Sequence, residues 1–283
     1  MKVDLAKSAG FCFGVRRALD IAMKIAAARK NVFMLKDIVH NEDVVKQIKS
    51  KGIKKIKRLS AVGKDKTLLI SAHGAPLNIF RKARGLGYKI VDATCPMVKE
   101  IHKIAQNMEQ KGCKIIIIGD KKHDEVQGIT GQLEGKAIVI DGLQNIPFKE
   151  LKGIKKYAVV VQSTQNYENA VNIVGMLKAH IKELRFFNTI CRPTRIKQEE
   201  IKTLPQKNDA MIIIGSKTSA NTRRLYEISK AINRNSYWIE SKKEISRGWF
   251  RRAKNVGVTS GASTPDSTTN DVVKYIKRMT AAQ

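Results

Sequence analysis

The sequence predicts an α/β protein whose parallel sheets are covered by helices on both faces. Runs of β-branched residues recur along the chain without the polar alternation of a half-exposed strand, as at residues 115–118 and 211–214. Such continuous apolar strands are typical of parallel sheets. The segments between them carry apolar residues at helical spacing, most clearly from residue 15 to about residue 29.

The expected strands follow one another at intervals along the whole chain. Each is a short apolar run, and most lead into a small or polar cluster and then into a helical stretch. In chain order these runs are residues 3–6, 32–35, 68–70, 89–91, 115–118, 159–161, 186–187, 211–214 and 256–258.

The same pattern recurs in three rounds of roughly 90 residues, a normal domain size. We therefore predict three similar α/β domains, over residues 13–95, 96–187 and 188–283, with residues 1–12 packing onto the third. Neither boundary carries a Gly/Ser-rich linker, so we expect the domains to pack together and a shared site to collect loops from all three.

Three of the four cysteines stand in the segments that follow predicted strands: Cys12, Cys95 and Cys191. Pro96 cannot donate to a sheet ladder, so the strand before Cys95 must end there, and Pro193 follows Cys191 in the same way. Any one of these cysteines alone would be read as a buried thiol. Their repeated setting instead favours one shared site at the carboxyl ends of the strands.

The spacing of the cysteines bears on the metal that they could hold. Structural zinc sites normally include a close C-x₂₋₄-C pair, and the sequence has none. Cys113 opens a strand and is expected to be a buried thiol. Three thiolates on a cubane iron–sulfur cluster would leave one iron open for a substrate.

Three of the five histidines fall at the ends of predicted strands: His40, His73 and His123. One strand-end histidine is more often structural, but three at equivalent corners favour a shared ligand. His102 and His180 lie inside predicted helices and are interpreted as packing or surface residues.

Short polar side chains follow two further strands: Ser219, Asn221 and Ser263. With loop N–H groups they are suited to phosphate oxygens. The same residue types commonly cap helices. Both interpretations stay open for each residue taken alone.

The composition limits the classes of function. The 283 residues carry 54 Lys+Arg against 25 Asp+Glu, a formal net charge of +29. The densest basic stretch, residues 46–58, lacks the interleaved aromatics of a base-stacking surface, so we interpret it as solvated rather than as a nucleic-acid site. We expect no signal peptide and no membrane span. Four widely spaced cysteines favour a reducing cytoplasm over a disulfide scaffold.

Two nucleotide-binding signatures are missing from the sequence. No G-x-x-x-x-G-K-[ST] occurs, and Gly85-Leu86-Gly87 does not continue into G-x-G-x-x-G. A nicotinamide or ATP site built on these motifs is therefore not expected.

Seven segments between residue 3 and about residue 275 together resemble one family. They are Gly10-Phe11-Cys12-Phe13-Gly14-Val15, Val39-His40-Asn41, Ser71-Ala72-His73-Gly74, Asp92-Ala93-Thr94-Cys95-Pro96, His123-Asp124-Glu125-Val126, Thr189-Ile190-Cys191 and Gly261-Ala262-Ser263-Thr264-Pro265-Asp266. In content and order they are similar to the 4-hydroxy-3-methylbut-2-enyl diphosphate reductases, the last enzymes of the non-mevalonate isoprenoid pathway.

The resemblance implies a trefoil of three α/β domains around a central 4Fe–4S cluster with one open iron, held by Cys12, Cys95 and Cys191. It implies reductive dehydroxylation of the substrate to isopentenyl and dimethylallyl diphosphates, with ferredoxin or flavodoxin, both acidic proteins, as the usual electron donors. Glu125 would deliver protons, which requires a raised pKa at neutral pH. The diphosphate would be bound by His40, His73, His123, Ser219, Asn221 and Ser263.

Two positions depart from the commonest family pattern. Ser163 stands where a threonine is frequent, leaving a hydroxyl but no methyl at a position that would help to place the substrate. Ala220 stands where a second serine is frequent, so one phosphate contact is expected to be missing.

Two other functions remain as alternatives. A hydro-lyase with the same cluster would share the open iron but would need no electron donor. A basic nucleic-acid-binding protein with a cluster as sensor would show steep salt dependence, but it leaves the histidine, serine and asparagine set unexplained.

Overall fold

Twelve strands lie in the part of the chain that the computed structural model describes, residues 1–61 and 65–281. They are β1 (Lys2–Leu5), β2 (Val32–Met34), β3 (Lys54–Lys55), β4 (Thr67–Ile70), β5 (Lys89–Asp92), β6 (Lys114–Ile118), β7 (Ile138–Ile140), β8 (Lys156–Val161), β9 (Glu183–Phe186), β10 (Ala210–Ile214), β11 (Ser236–Ile239) and β12 (Asn255–Ser260).

Nine α-helices connect these strands within the same residues. They are α1 (Phe13–Ala28), α2 (Glu42–Ser50), α3 (Leu77–Gly85), α4 (Pro96–Gln110), α5 (Asp124–Thr130), α6 (Tyr167–His180), α7 (Arg192–Thr203), α8 (Ala220–Ile232) and α9 (Asp266–Ala281). None of them combines the length and apolar character that a membrane crossing needs.

The strands form three four-stranded sheets, and every pairing between them is parallel. Sheet I has the order β3-β2-β4-β5, sheet II β7-β6-β8-β9 and sheet III β1-β12-β10-β11. In sheet III the amino-terminal strand β1 pairs with β12, with Lys2 opposite Asn255. The predicted α/β class is therefore confirmed.

The apolar runs are continuous because both faces of the sheets are buried. In β6, Ile116 and Ile118 pack into one core with α6, whereas Ile115 and Ile117 pack into another with α4 and α5. A strand alternates its side chains between faces, so two covered faces require every residue to be apolar.

Three edge strands, β3, β7 and β11, lie outside the apolar runs that the sequence predicted as strands. β7 has only three residues. β11 contains Ser236, which is buried. Its hydroxyl shares a hydrogen bond of 2.7 Å with the Ser229 hydroxyl, so it has a partner in the interior. A buried polar residue with a tertiary partner breaks the apolar pattern on which the prediction depended.

The basic stretch predicted to be solvated is solvated. All seven lysines and arginines in residues 46–58 are exposed, whereas Ile48 and Ile53 are buried beneath them. The charges belong to the surface of α2, the following turn and β3.

The chain divides into two compact units. One comprises Met1–Val15, His40–Val44 and Arg192–Gln283 and contains sheet III; the other comprises Arg16–Val39 and Val45–Cys191 and contains sheets I and II. The predicted domains at 13–95, 96–187 and 188–283 and their trefoil arrangement stay predictions; residues 62–64, 282 and 283 lie outside the described residues.

In each sheet the register brings the carboxyl ends of two neighbouring strands level. Ile70 lies opposite Asp92 in sheet I, and Ile118 lies opposite Val161 in sheet II. The loops that follow such ends share one edge of a parallel sheet, which is where ligands bind in open α/β folds. The predicted site residues all follow strands of these sheets.

Candidate functional site

Glu125 is held by two hydrogen bonds from Ser163. The carboxylate is 1% exposed. The Ser163 backbone N–H donates to Oε1 at 2.6 Å, and the Ser163 hydroxyl donates to Oε2 at 2.7 Å. Glu125 lies in the first turn of α5, which fixes its backbone.

Ser163 also connects this carboxylate to a cysteine of the predicted set. Its carbonyl oxygen accepts the backbone N–H of Cys191 at 3.0 Å. The segment before Cys191 is fastened to β8 by Thr189, whose hydroxyl donates to the Val161 carbonyl at 2.5 Å and accepts the Val161 N–H at 2.7 Å. One residue at the end of β8 therefore positions both Glu125 and Cys191.

The imidazoles of His73 and His123 lie together after β4 and β6. Their ring centroids are 5.3 Å apart, edge to face, with ring nitrogens within 4.8 Å. His123 caps α5, and its Nδ1 accepts the Glu125 N–H at 3.1 Å. A ring nitrogen that accepts carries no proton, so the proton of His123 is on Nε2, where it can be donated to a ligand.

Cys95 is the residue before the first turn of α4. Hydrogen bonds to neighbouring residues fix the backbone between β5 and α4 at this position. Its N–H donates to the Ala72 carbonyl at 3.0 Å. Asp92 accepts both the N–H, at 3.0 Å, and the hydroxyl of Thr94. Arg17 donates to the Thr94 carbonyl at 3.1 Å. Sequence reasoning missed Arg17, because nothing in the sequence distinguishes it from the other basic residues.

The ionised form of Asp92 is stabilised by Lys99 and Thr94. Burial would raise the pKa of Asp92, but hydrogen bonds from Lys99 and Thr94 outweigh burial and hold it below its ordinary value. Lys99 Nζ lies 2.6 Å from the carboxylate.

His102, on α4, lies beneath the loop that carries His73. A Cβ at Gly74 would stand 2.8 Å from the His102 ring, and Gly74 has a φ of +80°, so a side chain is excluded there twice over. Burial lowers the pKa of His102 to about 4, against the opposing charge of Asp92. The predicted packing role of His102 is confirmed.

We expect His102 to make the protein sensitive to mild acid. Its pKa in the folded chain lies below the value of about 6.5 in the unfolded chain, so the unfolded chain binds more protons as the pH falls from 6.5 towards 4. The contribution corresponds to about 2 kcal/mol of unfolding free energy lost between pH 7 and pH 5. Urea unfolding of the metal-free protein at both pH values should show this loss in the wild type and a smaller one in His102→Gln. Equal losses in the two proteins would contradict the assignment.

In the unit that contains sheet III, the turn after β12 fixes Cys12 and His40. The Cys12 N–H donates to the Ala262 carbonyl at 3.1 Å. The Ser263 hydroxyl donates to the His40 carbonyl at 3.0 Å. Two adjacent residues of one turn thus position a candidate metal ligand and a candidate phosphate ligand.

Lys197 is a buried cation near Cys12 that sequence reasoning missed. Its ammonium, on α7, is 3% exposed and donates to the carbonyls of Ser8, Gly10 and Ser260, the last two at 3.3 and 3.0 Å. Burial lowers the pKa of Lys197 to about 8, although Cys12 and two carboxylates act in the opposite direction. In the sequence it is one of 54 basic residues, with no signal that marks it out.

Two of the polar residues after β10 differ in their hydrogen bonding: Ser219 caps a helix, and Asn221 has a donor that is unused among the residues described. Ser219 caps α8, because its hydroxyl oxygen accepts the Thr222 N–H at 3.3 Å. Asn221 is buried, and its Nδ2 has no hydrogen-bond partner in the described part of the chain. A buried amide donor without a partner is costly. Asn221 therefore has a donor ready for a ligand.

All four cysteines are reduced thiols, and they fall into two classes. Cys113 is buried in the core with Ile115 and Ile117, as predicted. The other three are partly exposed after carboxyl ends of strands: Cys12, Cys95 and Cys191. Partly exposed thiols on loops fixed by backbone hydrogen bonds fit the ligands of an iron–sulfur cluster.

The described residues define a class: an α/β protein of three parallel sheets that presents thiols, imidazoles and a buried carboxylate at the ends of its strands. The family model described as LytB protein matches residues 3–277. The chain therefore belongs to the LytB family.

Curated relatives match over almost the whole chain. Proteins named 4-hydroxy-3-methylbut-2-enyl diphosphate reductase from Clostridioides difficile (strain 630) and Campylobacter hominis are 37% and 39% identical; each match covers 99% of this chain and 100% of the relative. One from Aquifex aeolicus is 38% identical, with 99% and 98% covered. The resemblance in the sequence is thereby confirmed.

Solved structures agree with these relatives. A structure titled as (E)-4-hydroxy-3-methyl-but-2-enyl diphosphate reductase, the terminal enzyme of the non-mevalonate pathway, is 39% identical with a TM-score of 0.70, covering 98% of this chain and 100% of that one. The Plasmodium falciparum E-1-hydroxy-2-methyl-but-2-enyl-4-diphosphate reductase is 27% identical with a TM-score of 0.90, covering 99% and 88%.

Proposed function

We propose that the protein is a 4-hydroxy-3-methylbut-2-enyl diphosphate reductase, which removes the allylic hydroxyl and forms isopentenyl and dimethylallyl diphosphates. Family membership and the names of the relatives support this reaction. The observation that carries it is Ser163, which binds the buried carboxylate of Glu125 and the backbone of Cys191 at once. A proton source and a candidate cluster ligand are thus fastened to one residue.

In this proposal Cys12, Cys95 and Cys191 hold a 4Fe–4S cluster, and one iron has no protein ligand. Such a cluster, when bound, supplies electrons one at a time and an open iron that acts as a Lewis acid towards the substrate hydroxyl. The chain's contribution is the fixed backbone of each ligand: the N–H groups of all three cysteines already donate to carbonyls. The sulfur atoms are therefore held by ordered loops.

Six side chains would bind the diphosphate. The Nε2 proton of His123 and the Nδ2 of Asn221 are donors suited to phosphate oxygens. Ser219 stands at the start of α8, where backbone N–H groups and the helix dipole favour an anion. The proposed set is His40, His73, His123, Ser219, Asn221 and Ser263, with Ser163 helping to place the substrate through Glu125.

Glu125 would supply protons to the reaction. The overall change consumes two electrons and two protons, breaks the C–O bond and releases water, so one proton goes to the leaving oxygen and one to carbon. A carboxyl held by both of its oxygens stays in one orientation, which proton transfer needs. Burial keeps bulk water from competing at that position.

The two alternative functions, a hydro-lyase and a nucleic-acid-binding protein, would depend on different features of the chain. A hydro-lyase would use the same thiols and carboxylate but would convert its substrate without a reductant. A nucleic-acid-binding protein would depend on surfaces such as residues 46–58, whose exposed cations have no interleaved aromatics. Neither alternative explains why the relatives named as reductases match the chain from end to end.

The test is anaerobic purification, an assay of iron and sulfide, and turnover with a small artificial reductant. We expect about four irons per chain and reductant-dependent formation of both five-carbon diphosphates. Conversion that proceeds equally well without reductant would favour the hydro-lyase. A chain that holds no iron after reconstitution would overturn the proposal.

We place the enzyme in the cytoplasm, where widely spaced thiols stay reduced.

We expect an acidic electron donor, such as a ferredoxin or flavodoxin, to be steered by the net charge of +29. Turnover limited by such a donor should slow as salt rises, because the Debye length falls from about 30 Å at 0.01 M to about 8 Å at physiological strength. Steady-state rates with the protein donor and with a small neutral reductant should therefore diverge. Equal salt sensitivity would place the effect in diphosphate binding instead.

A further inference from the structure

We propose that Lys197 and Glu200, on α7, are positioning residues that hold the Cys12 loop, residues 7–12, in the geometry that a cluster needs. This inference rests on the proposed function of Cys12 as a ligand. Neither residue contacts the substrate in the proposal; both act through the loop.

Glu200 accepts hydrogen bonds from donors at the start of the Cys12 loop. Its Oε1 accepts the Lys7 N–H at 2.5 Å, and its Oε2 accepts both the N–H and the hydroxyl of Ser8, at 3.0 and 2.5 Å. Charge-assisted hydrogen bonds of this kind are about twice as strong as neutral ones. One carboxylate therefore fixes two successive residues.

Lys197 donates hydrogen bonds to carbonyl oxygens of the same loop. Its ammonium donates to the carbonyls of Ser8 and Gly10 in the loop and of Ser260 at the end of β12. An ammonium has three N–H donors, so this arrangement uses all of them. The loop is thereby attached to α7 and to sheet III at once.

Gly10 is a position in the loop that admits no side chain. Its φ is +93°, and a Cβ there would lie 1.9 Å from Oδ1 of Asp266. Its N–H donates to the Ser260 hydroxyl at 2.6 Å. Cys12 stands two residues further on, so its position depends on contacts that Lys197 and Glu200 complete.

The test follows the reactivity of each thiol in the full-length metal-free protein. Iodoacetamide labelling, resolved by peptide mass spectrometry, should speed up at Cys12 by about tenfold in Lys197→Met, because the loop opens more often. Cys95, Cys191 and Cys113 should label at wild-type rates. Lys197→Arg, which keeps the charge and the donors, should restore Cys12 to within about threefold of the wild type. Arg195→Met, an exposed change of equal charge on the same helix, should have no effect.

A second readout uses the reconstituted protein. Bleaching of the cluster absorbance by a chelator should be about tenfold faster in Lys197→Met and less so in Glu200→Gln, which keeps one acceptor. If Lys197→Met does not fold, Glu200→Gln takes its place, and Cys12 should label faster in it than in the wild type and in Lys197→Arg. An unchanged Cys12 rate in folded Lys197→Met and Glu200→Gln, or equal acceleration of all four thiols in them, would overturn the inference. Because labelling needs no cluster, its outcome is independent of whether Cys12 proves to be a ligand.

Discussion

The largest effect that we expect is loss of the proposed cluster when Cys12, Cys95 or Cys191 is changed to serine, but not when Cys113 is. A serine hydroxyl is not a thiolate at neutral pH and does not replace a soft sulfur ligand. Cluster absorbance should fall below about a tenth of the wild-type value in each of the three variants, and turnover should fall to background. Anaerobic absorbance spectra and iron assays on matched preparations measure the effect.

Cys113→Ser is the matched control because it makes the same atomic change in the core. Cys113 is 8% exposed and packs with Ile115. A buried hydroxyl there costs about 1–3 kcal/mol of unfolding free energy but removes no proposed ligand. A folded Cys113→Ser protein without cluster absorbance would overturn the three-ligand assignment, as would full iron content in any of the other three variants.

The second large effect is expected at Glu125. Glu125→Gln should lower kcat by about 10²- to 10⁴-fold, the range for loss of a general acid. The shape of the side chain is kept, and the Ser163 hydroxyl can turn to accept from the new amide while the Ser163 N–H still donates to its carbonyl. Substrate binding should therefore change little. Single-turnover kinetics with a small reductant separate binding from chemistry.

Ser163→Ala isolates the positioning part of this effect. It removes the hydroxyl bond to Glu125 but leaves the backbone N–H bond at 2.6 Å and the proton itself. We expect a decrease in kcat of only about tenfold, since one hydrogen bond to the carboxylate, worth about 1.5 kcal/mol, is lost. If Glu125→Gln stays within about threefold of the wild type, a change under about 1 kcal/mol, Glu125 does not supply the proton.

The sequence by itself determined the α/β class and the placement of the site residues after strands. Continuous β-branched runs such as residues 115–118 are typical of strands covered on both faces, and ligands bind outside the carboxyl ends of such strands in open α/β sheets. The helix predicted to start at residue 15 begins at Phe13, because a helix end is set by local capping and not by the apolar period. The motif order was enough to identify the family.

What the tertiary structure decided are contacts between residues distant in the chain. The bond from Ser163 to Glu125 spans 38 residues, and the bond from Lys197 to Gly10 spans 187. Composition and periodicity carry no information on such pairs, because any serine or lysine looks the same in sequence. Only the fold distinguishes Lys197, which is buried and donates to two carbonyls of the Cys12 loop and to one at the end of β12.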